Sequence, residues 1–141
     1  LADPRNPNMK DIINKKIKKR ESFRPFAPAV LESLQNKWFE TLYSSSYMST
    51  VSLVKEDKRS LIPSVTHVDG TARLQSVNSK INPKFTNLIN SFYQITGVPV
   101  LLNTSFNENE PIVMRPEEAI ECLIRTDLDS LFINNFYITK I

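Results

Sequence analysis

The chain holds only two glycines, Gly70 and Gly97, among 141 residues, where average usage of about 7% would supply about ten. Loops that wrap a phosphate in bare backbone amides need several glycines at fixed spacing. Neither the dinucleotide fingerprint G-x-G-x-x-G nor the P-loop can therefore be present. Any phosphate site in this chain must be made of side chains. A single cysteine, Cys122, and a single histidine, His67, exclude a disulfide framework and a Cys/His zinc site. They also leave at most one imidazole for any nucleophile–base arrangement.

The length is that of one domain, spanning residues 1–141, and a chain of this size buries roughly two-thirds of the surface its unfolded form exposes. No stretch approaches the roughly 20 apolar residues of a membrane span, and no apolar signal-peptide core is present. A cytoplasmic location is expected. The chain starts at Leu1 and runs directly into Ala2-Asp3-Pro4-Arg5, so it is expected to be a piece of a longer polypeptide.

Eighteen Lys and Arg stand against fifteen Asp and Glu, a formal net charge of +3, and the excess is unevenly placed. Residues 1–24 hold eight basic side chains and three acidic ones. Within that block Met9, Ile12, Ile13 and Ile17 form the stripe of an amphipathic helix of about a dozen residues, with Lys15, Lys18 and Lys19 on another face. Pro25 and Pro28 should stop the helix and hold Arg24 and Ala27 extended.

Tyr47 to Val54 reads as a strand, Lys55 to Arg59 as a solvated loop, and Ser64 to Val77 as a second extended stretch broken at Asp69-Gly70. Arg73 and Gln75 then point one way and Leu74 the other. Asn82 as N-cap and Pro83 in the first turn open a helix whose apolar face is Phe85, Leu88, Ile89, Phe92 and Ile95, and Gly97 closes it. Val98 to Leu102 reads as a buried strand in which Pro99 costs one ladder bond. A helix from Pro116 should bury Ala119, Ile120, Leu123 and Ile124, and Ser130 to Lys140 suggests a hairpin around Asn134-Asn135. Intermixed strands and helices predict an α/β or α+β fold with an open mixed sheet.

Three polar clusters are candidates for chemistry: the basic helix with Arg24, the Thr66 to Gln75 segment, and Asn103 to Asn107. Arg24 lies between Phe23 and Pro25 in a stiff segment, which suits a bidentate grip on an anion, but an ion pair with Glu21 explains it equally well. His67 reads first as a hydrogen-bonded structural residue, and Cys122 as core. Asn103-Thr104-Ser105 follows a buried strand, and in open α/β sheets ligands sit at the carboxyl ends of strands. A satisfied turn is the alternative. The residues alone reach as far as an anion or nucleotide site with arginine and lysine clamps.

Leu1-Ala2-Asp3-Pro4-Arg5, Asn14 with Lys18, Arg20 to Pro28, Val65 to Gln75, and Leu102 to Asn107 with Glu110-Pro111-Ile112-Val113 closely resemble the carboxy-terminal domain of the NodU/CmcH-type O-carbamoyltransferases. The resemblance covers nearly the whole chain. It implies a YrdC-like open twisted sheet with flanking helices, truncated at its N-terminal side, which follows a larger Kae1-like domain in the same polypeptide. In that family carbamoyl phosphate is broken down to carbamate and phosphate, and carbamate attacks the α-phosphate of ATP to give carbamoyl adenylate and pyrophosphate. The Kae1-like domain then transfers the carbamoyl group to an acceptor hydroxyl on a small molecule.

Carried over position by position, the resemblance implies that Lys18, Arg24 and Arg73 clamp carbamoyl phosphate and the nucleotide phosphates. It implies that Asn103 and Ser105 contact the adenylate, that Thr71 and Met48 line its pocket, and that His67 helps orient carbamoyl phosphate. No metal ligand is expected in this chain, since the metal site belongs to the Kae1-like domain, while magnesium arrives with ATP as co-substrate. The family's Gly-Pro-Arg-Ala-Leu-Gly-x-Arg-Ser stretch, which precedes the Leu-Ala-Asp-Pro-Arg block, is not in this sequence, so the piece is expected to be inactive or only partly active alone. A basic RNA-binding module is the alternative function. It would need aromatic side chains interleaved with the basic ones, and residues 1–22 contain none. No nucleic-acid or membrane partner is expected.

Overall fold

The structure, a computed structural model, describes all 141 residues. It divides into two compact units, Leu1–Lys10 with Pro25–Thr104, and Asp11–Arg24 with Ser105–Ile141.

The first unit is built on an open five-stranded mixed sheet in the order β2-β3-β4-β1-β5. Its strands are β1 (Ala27–Leu31), β2 (Phe39–Glu40), β3 (Thr50–Val54), β4 (Thr71–Val77) and β5 (Val100–Asn103). Only β1 and β4 run parallel, and every other neighbour is antiparallel. Every residue of β1 is buried, as befits an inner strand covered on both faces. β5 is an edge strand, so a preceding Pro99 is tolerated, and Ala2 exchanges two 3.0 Å backbone bonds with Leu102 along that edge.

Helix α4 (Pro83–Thr96) covers part of one sheet face. Asn82 Oδ1 accepts from the Phe85 amide at 3.1 Å, and Gly97, at φ 73°, donates its N–H to Tyr93 O at 2.7 Å. These satisfy orphan groups at the two ends. Ile89 packs with Ala29, Leu31, Val77 and Leu101, flanked by Phe85 and Phe92. Complete burial of one such side chain contributes about 1.5–3 kcal/mol. Leu88 and Ile95, expected on the buried face, are exposed, because the helix docks through positions 85, 89 and 92 and those two fall to the side.

Several other local expectations need correction. The Tyr47–Val54 strand starts only at Thr50, after Met48 takes a left-handed φ of 56°. A short helical turn, α2 (Gln35–Trp38), precedes β2, and the Lys55–Arg59 loop contains another, α3 (Glu56–Arg59). Pro63–Val65 forms a 3-10 turn, so the second extended stretch begins properly at Thr71.

In the second unit, α5 (Pro116–Arg125) packs against the hairpin of β6 (Ser130–Ile133) and β7 (Phe136–Thr139), with Ala119, Leu123 and Leu131 at the centre. The hairpin turn uses Asn134 at φ 52°. Cys122 is buried, as its position on the helix suggested, but Ile120 and Ile124 are exposed. The helix presents positions 119, 122 and 123 to its core instead.

The basic segment begins as α1 (Met9–Ile12) and continues as a π-helical turn, Ile13–Ile17, closed by Lys18 N–H to Ile13 O at 2.8 Å. The wider turn rotates Lys18 away from the solvated face it was expected to share with Lys15 and Lys19. Lys18 is 2% exposed. No helix of the structure is long and apolar enough to cross a membrane.

Candidate functional site

The sheet of the first unit carries a polar patch on the face that α4 only partly covers. Alternation along β4 sends Thr71, Arg73 and Gln75 to this face and buries Ala72, Leu74 and Ser76 on the other. Opposite Gln75 and Asn103, β1 supplies only the methyl groups of Ala29 and Ala27. Longer side chains therefore meet over it, and Asn103 Nδ2 donates to Gln75 Oε1 at 2.7 Å. Arg73 lies opposite Val51 and Thr71 opposite Leu53 on β3, both exposed apolar residues. The Arg73 side chain is exposed and has no hydrogen-bond or ion-pair partner.

A tight turn delivers this patch. Gly70 N–H donates to His67 O at 2.9 Å and His67 N–H to Thr71 O at 2.8 Å. Gly70 sits at φ 80°, the left-handed region that favours glycine, and a Cβ there would come within 2.6 Å of the Arg59 guanidinium carbon, so that side chain would have to shift. Asp69 Oδ1 accepts from the Thr71 amide at 2.9 Å and from its hydroxyl at 2.7 Å. These donors hold the Asp69 carboxyl below the usual range. His67 Nδ1 lies 2.9 Å from Thr71 Oγ1. Burial pushes the His67 imidazole below its ordinary value; Asp69 opposes the shift, and Arg73 and Lys10 reinforce it.

Gln75 also lines a cleft of about 160 Å³ together with Ser46, Tyr47, Val77, Ile81 and Phe85. Met48, half-buried, lies just beyond Tyr47 in the β2–β3 connection.

A different arrangement holds the second unit's candidates. Lys18 Nζ donates to Ser105 O at 2.6 Å, Asn107 O at 2.7 Å, Asn107 Oδ1 at 2.9 Å and Ser105 Oγ at 3.2 Å. Four acceptors surround three protons, so this ammonium is saturated. Burial, with Arg20 nearby, lowers its pKa. Asn107 in turn accepts from the Ser105 hydroxyl at 2.7 Å and donates to Glu110 O at 2.6 Å. Asn14, fully buried, donates to Ser22 O and Arg24 O and accepts from Arg20 Nε at 2.8 Å. The exposed Arg24 side chain pairs with Glu21 at 3.0 Å, the alternative foreseen for it.

The structure thus gathers His67, Thr71, Arg73 and Asn103 on or beside one sheet face, and Lys18 with Ser105 in one loop network. Gln75, Asp69, Asn107 and Asn14 were not singled out from the sequence, although each falls inside a block that carries the resemblance. The strand-end expectation also changes. Asn103 is at the carboxyl end of β5, but β5 is antiparallel to β1, so its neighbours Ala27, Thr71 and Arg73 come from the beginnings of β1 and β4. The carboxyl-end rule belongs to parallel sheets.

The description "Carbamoyltransferase C-terminus" fits residues 1–140. The chain belongs to the carbamoyltransferase C-terminus family. It is 51% identical over 144 residues to "Nodulation protein NolNO" of Sinorhizobium fredii, covering 99% of this chain and 21% of that protein. It is 47% identical to "Nodulation protein NolO" of Bradyrhizobium diazoefficiens, covering 99% of the chain and 26% of that protein. Against "Nodulation protein U" of the same organism, 40% identity extends over 76% of this chain and 19% of the relative. This carbamoyltransferase C-terminal domain therefore spans about a quarter or less of the curated relatives it matches.

Proposed function

We propose that this domain activates a carbamoyl group for an O-carbamoyltransferase. Water cleaves carbamoyl phosphate to carbamate and inorganic phosphate. A carbamate oxygen then bonds to the α-phosphorus of ATP as the bond to the pyrophosphate oxygen breaks, leaving carbamoyl adenylate for transfer to an acceptor hydroxyl. Transfer falls to a Kae1-like domain of the same polypeptide, and the acceptor is a hydroxylated small molecule. Magnesium comes as the ion of the ATP co-substrate, and the reaction belongs to the cytoplasm.

One observation carries this reading in a chain of this family. Arg73, the cation of the polar sheet face, is exposed and unpaired beside hydroxyl, amide and imidazole groups that are already oriented. A planar guanidinium without an internal partner is suited to bidentate contact with phosphate oxygens and to stabilising charge that develops at phosphorus. Asn103 and Gln75 present amide groups to an adenylate, and the neighbouring cleft beside Met48 and Tyr47 offers apolar and aromatic surface to a base. Thr71 and His67 stand where the turn enters the face.

In the second unit Ser105 is held by Lys18. Arg24 exchanges its exposed carboxylate partner for phosphate.

Titration calorimetry with ATP and magnesium, with and without carbamoyl phosphate, tests the reading on this chain, the full-length polypeptide that carries it, and its R73A variant. Saturable binding weakened by R73A supports it. Binding to the full-length protein alone means that residues outside this chain complete the site. Binding to neither would sink the proposal.

A further inference from the structure

Among the groups on the polar sheet face, His67 is the one whose chemistry the phosphate clamps do not explain. The Thr71 hydroxyl has a single proton, and Asp69 Oδ1, the acceptor of an ionised carboxylate, takes it at 2.7 Å. Thr71 Oγ1 is then an acceptor toward His67 Nδ1 at 2.9 Å, so the ring proton resides on Nδ1. Burial keeps the imidazole neutral at pH 7, with Arg73 and Lys10 adding to the effect and Asp69 opposing it. Nε2 consequently carries a lone pair. That atom is shielded from solvent and no hydrogen-bond partner of the protein reaches it.

A buried polar atom left unsatisfied is destabilising, and native structures retain few of them. A relay that fixes one ring nitrogen as donor and leaves the other as a bare acceptor is arranged to receive an N–H. The surrounding cations cannot serve the same purpose toward a ligand, because arginine and lysine recognise only acceptors. Phosphates and carboxylates offer acceptor oxygens alone. In carbamoyl phosphate the only N–H donors are those of its amino group. Arg73, unpaired and exposed, is near enough to act on the charge of the ring, so a phosphate held by its guanidinium brings the attached carbamoyl group to the vicinity of His67.

Resting on the carbamoyl-activation reading, we infer that His67 Nε2 accepts a hydrogen bond from the amino group of carbamoyl phosphate. The site thereby distinguishes it from acyl phosphates such as acetyl phosphate, which carry a methyl group in that place. His67 is a specificity-determining binding residue, and Thr71 and Asp69 are positioning residues that set its tautomer. A site built around a buried hydrogen-bond acceptor rejects the analogue lacking the donor, since its own polar atom is then left unpaired.

The test uses two hydrolysis-resistant probes, phosphonoacetamide and acetonylphosphonate, which differ only in NH₂ against CH₃. Both are titrated into the full-length polypeptide as wild type, H67N and H67Q. Wild type should bind phosphonoacetamide about tenfold more tightly or better. H67N keeps an N–H toward Thr71 but has no atom at the Nε2 position; its preference should fall within about twofold while acetonylphosphonate binding stays unchanged. H67Q, whose amide oxygen reaches the Nε2 position, should restore part of the preference.

In the 141-residue chain His67 is the only imidazole, so its ring ¹⁵N shifts report the tautomer directly. Equal affinity of wild type for both probes, a proton on Nε2 in the ligand-free protein, or movement of the Nε2 signal by ATP alone would each overturn the inference and leave the activation reading standing. Binding of neither probe would remove that reading, and the inference with it.

Discussion

Lys18 and Arg73 are both cations within recognisable sequence blocks, and the two units treat them oppositely. Lys18 is buried and gives all three of its protons to the loop of Ser105 and Asn107. Arg73 stands exposed on its sheet face with no partner from the protein. A cation saturated by protein oxygens organises structure, and one kept without an internal partner is available to a ligand. The difference separates a cation held within the protein from one left open to a ligand, which sequence position does not reveal.

The comparison is most exposed to failure at Arg73. R73A should lower carbamoyl-phosphate-dependent ATP–pyrophosphate exchange by about 10²–10³-fold while leaving stability within about 0.5 kcal/mol. Exchange at the wild-type rate would break the assignment. For Lys18, removal of charge-assisted bonds to buried carbonyls predicts a loss of about 3 kcal/mol in K18M, read from denaturant melts. A melt unchanged from wild type would place Lys18 with Arg73 and erase the contrast.

Asn14 lies between those cases. N14A strands the carbonyls of Ser22 and Arg24 and should cost about 2 kcal/mol; a hydrogen-exchange map showing residues 20–24 as protected as in wild type would contradict it. R24A removes only an exposed ion pair and should change stability by less than about 1 kcal/mol, so any large effect of that substitution on nucleotide binding sharpens its role as a clamp.

The smallest effect is one of pH. His67 ionises lower in the fold than the value near 6.5 of the unfolded chain. Its contribution to stability is therefore present above pH 6.5 and is lost as pH falls from there through the lowered folded value. Melts from pH 7.5 to 5 should show a decline that H67N lacks, and parallel curves would refute the buried neutral ring.

Much of this fold was legible because its signals are local. Asn82, Pro83 and Gly97 bound α4 by capping chemistry that tertiary contacts did not alter, the Asn134 turn was equally plain, and the strand read over Val98–Leu102 forms two residues later at its start and one later at its end, Val100–Asn103. The strand β1 was not. Ala27-Pro28-Ala29-Val30-Leu31 is buried along its whole length, so it shows no alternation, and Pro28 with the preceding Pro25 reads as a breaker. The same alanines decide the site, since their small size lets Asn103 reach Gln75. Neither residue announces that partner across 28 positions of chain.

The sequence by itself determined that any phosphate here is met by side chains, because two glycines cannot build a backbone cradle. It also determined which face of β4 carries Thr71, Arg73 and Gln75, because strand alternation is a local rule. Only the tertiary structure decided which cation is left without a partner. A π-helical turn moved Lys18 into a ring of oxygens from a loop 87 and 89 residues away, and the turn before β4 left Nε2 of His67 without a protein partner. Long-range packing distributes hydrogen-bond partners, and no periodicity along the chain records that distribution.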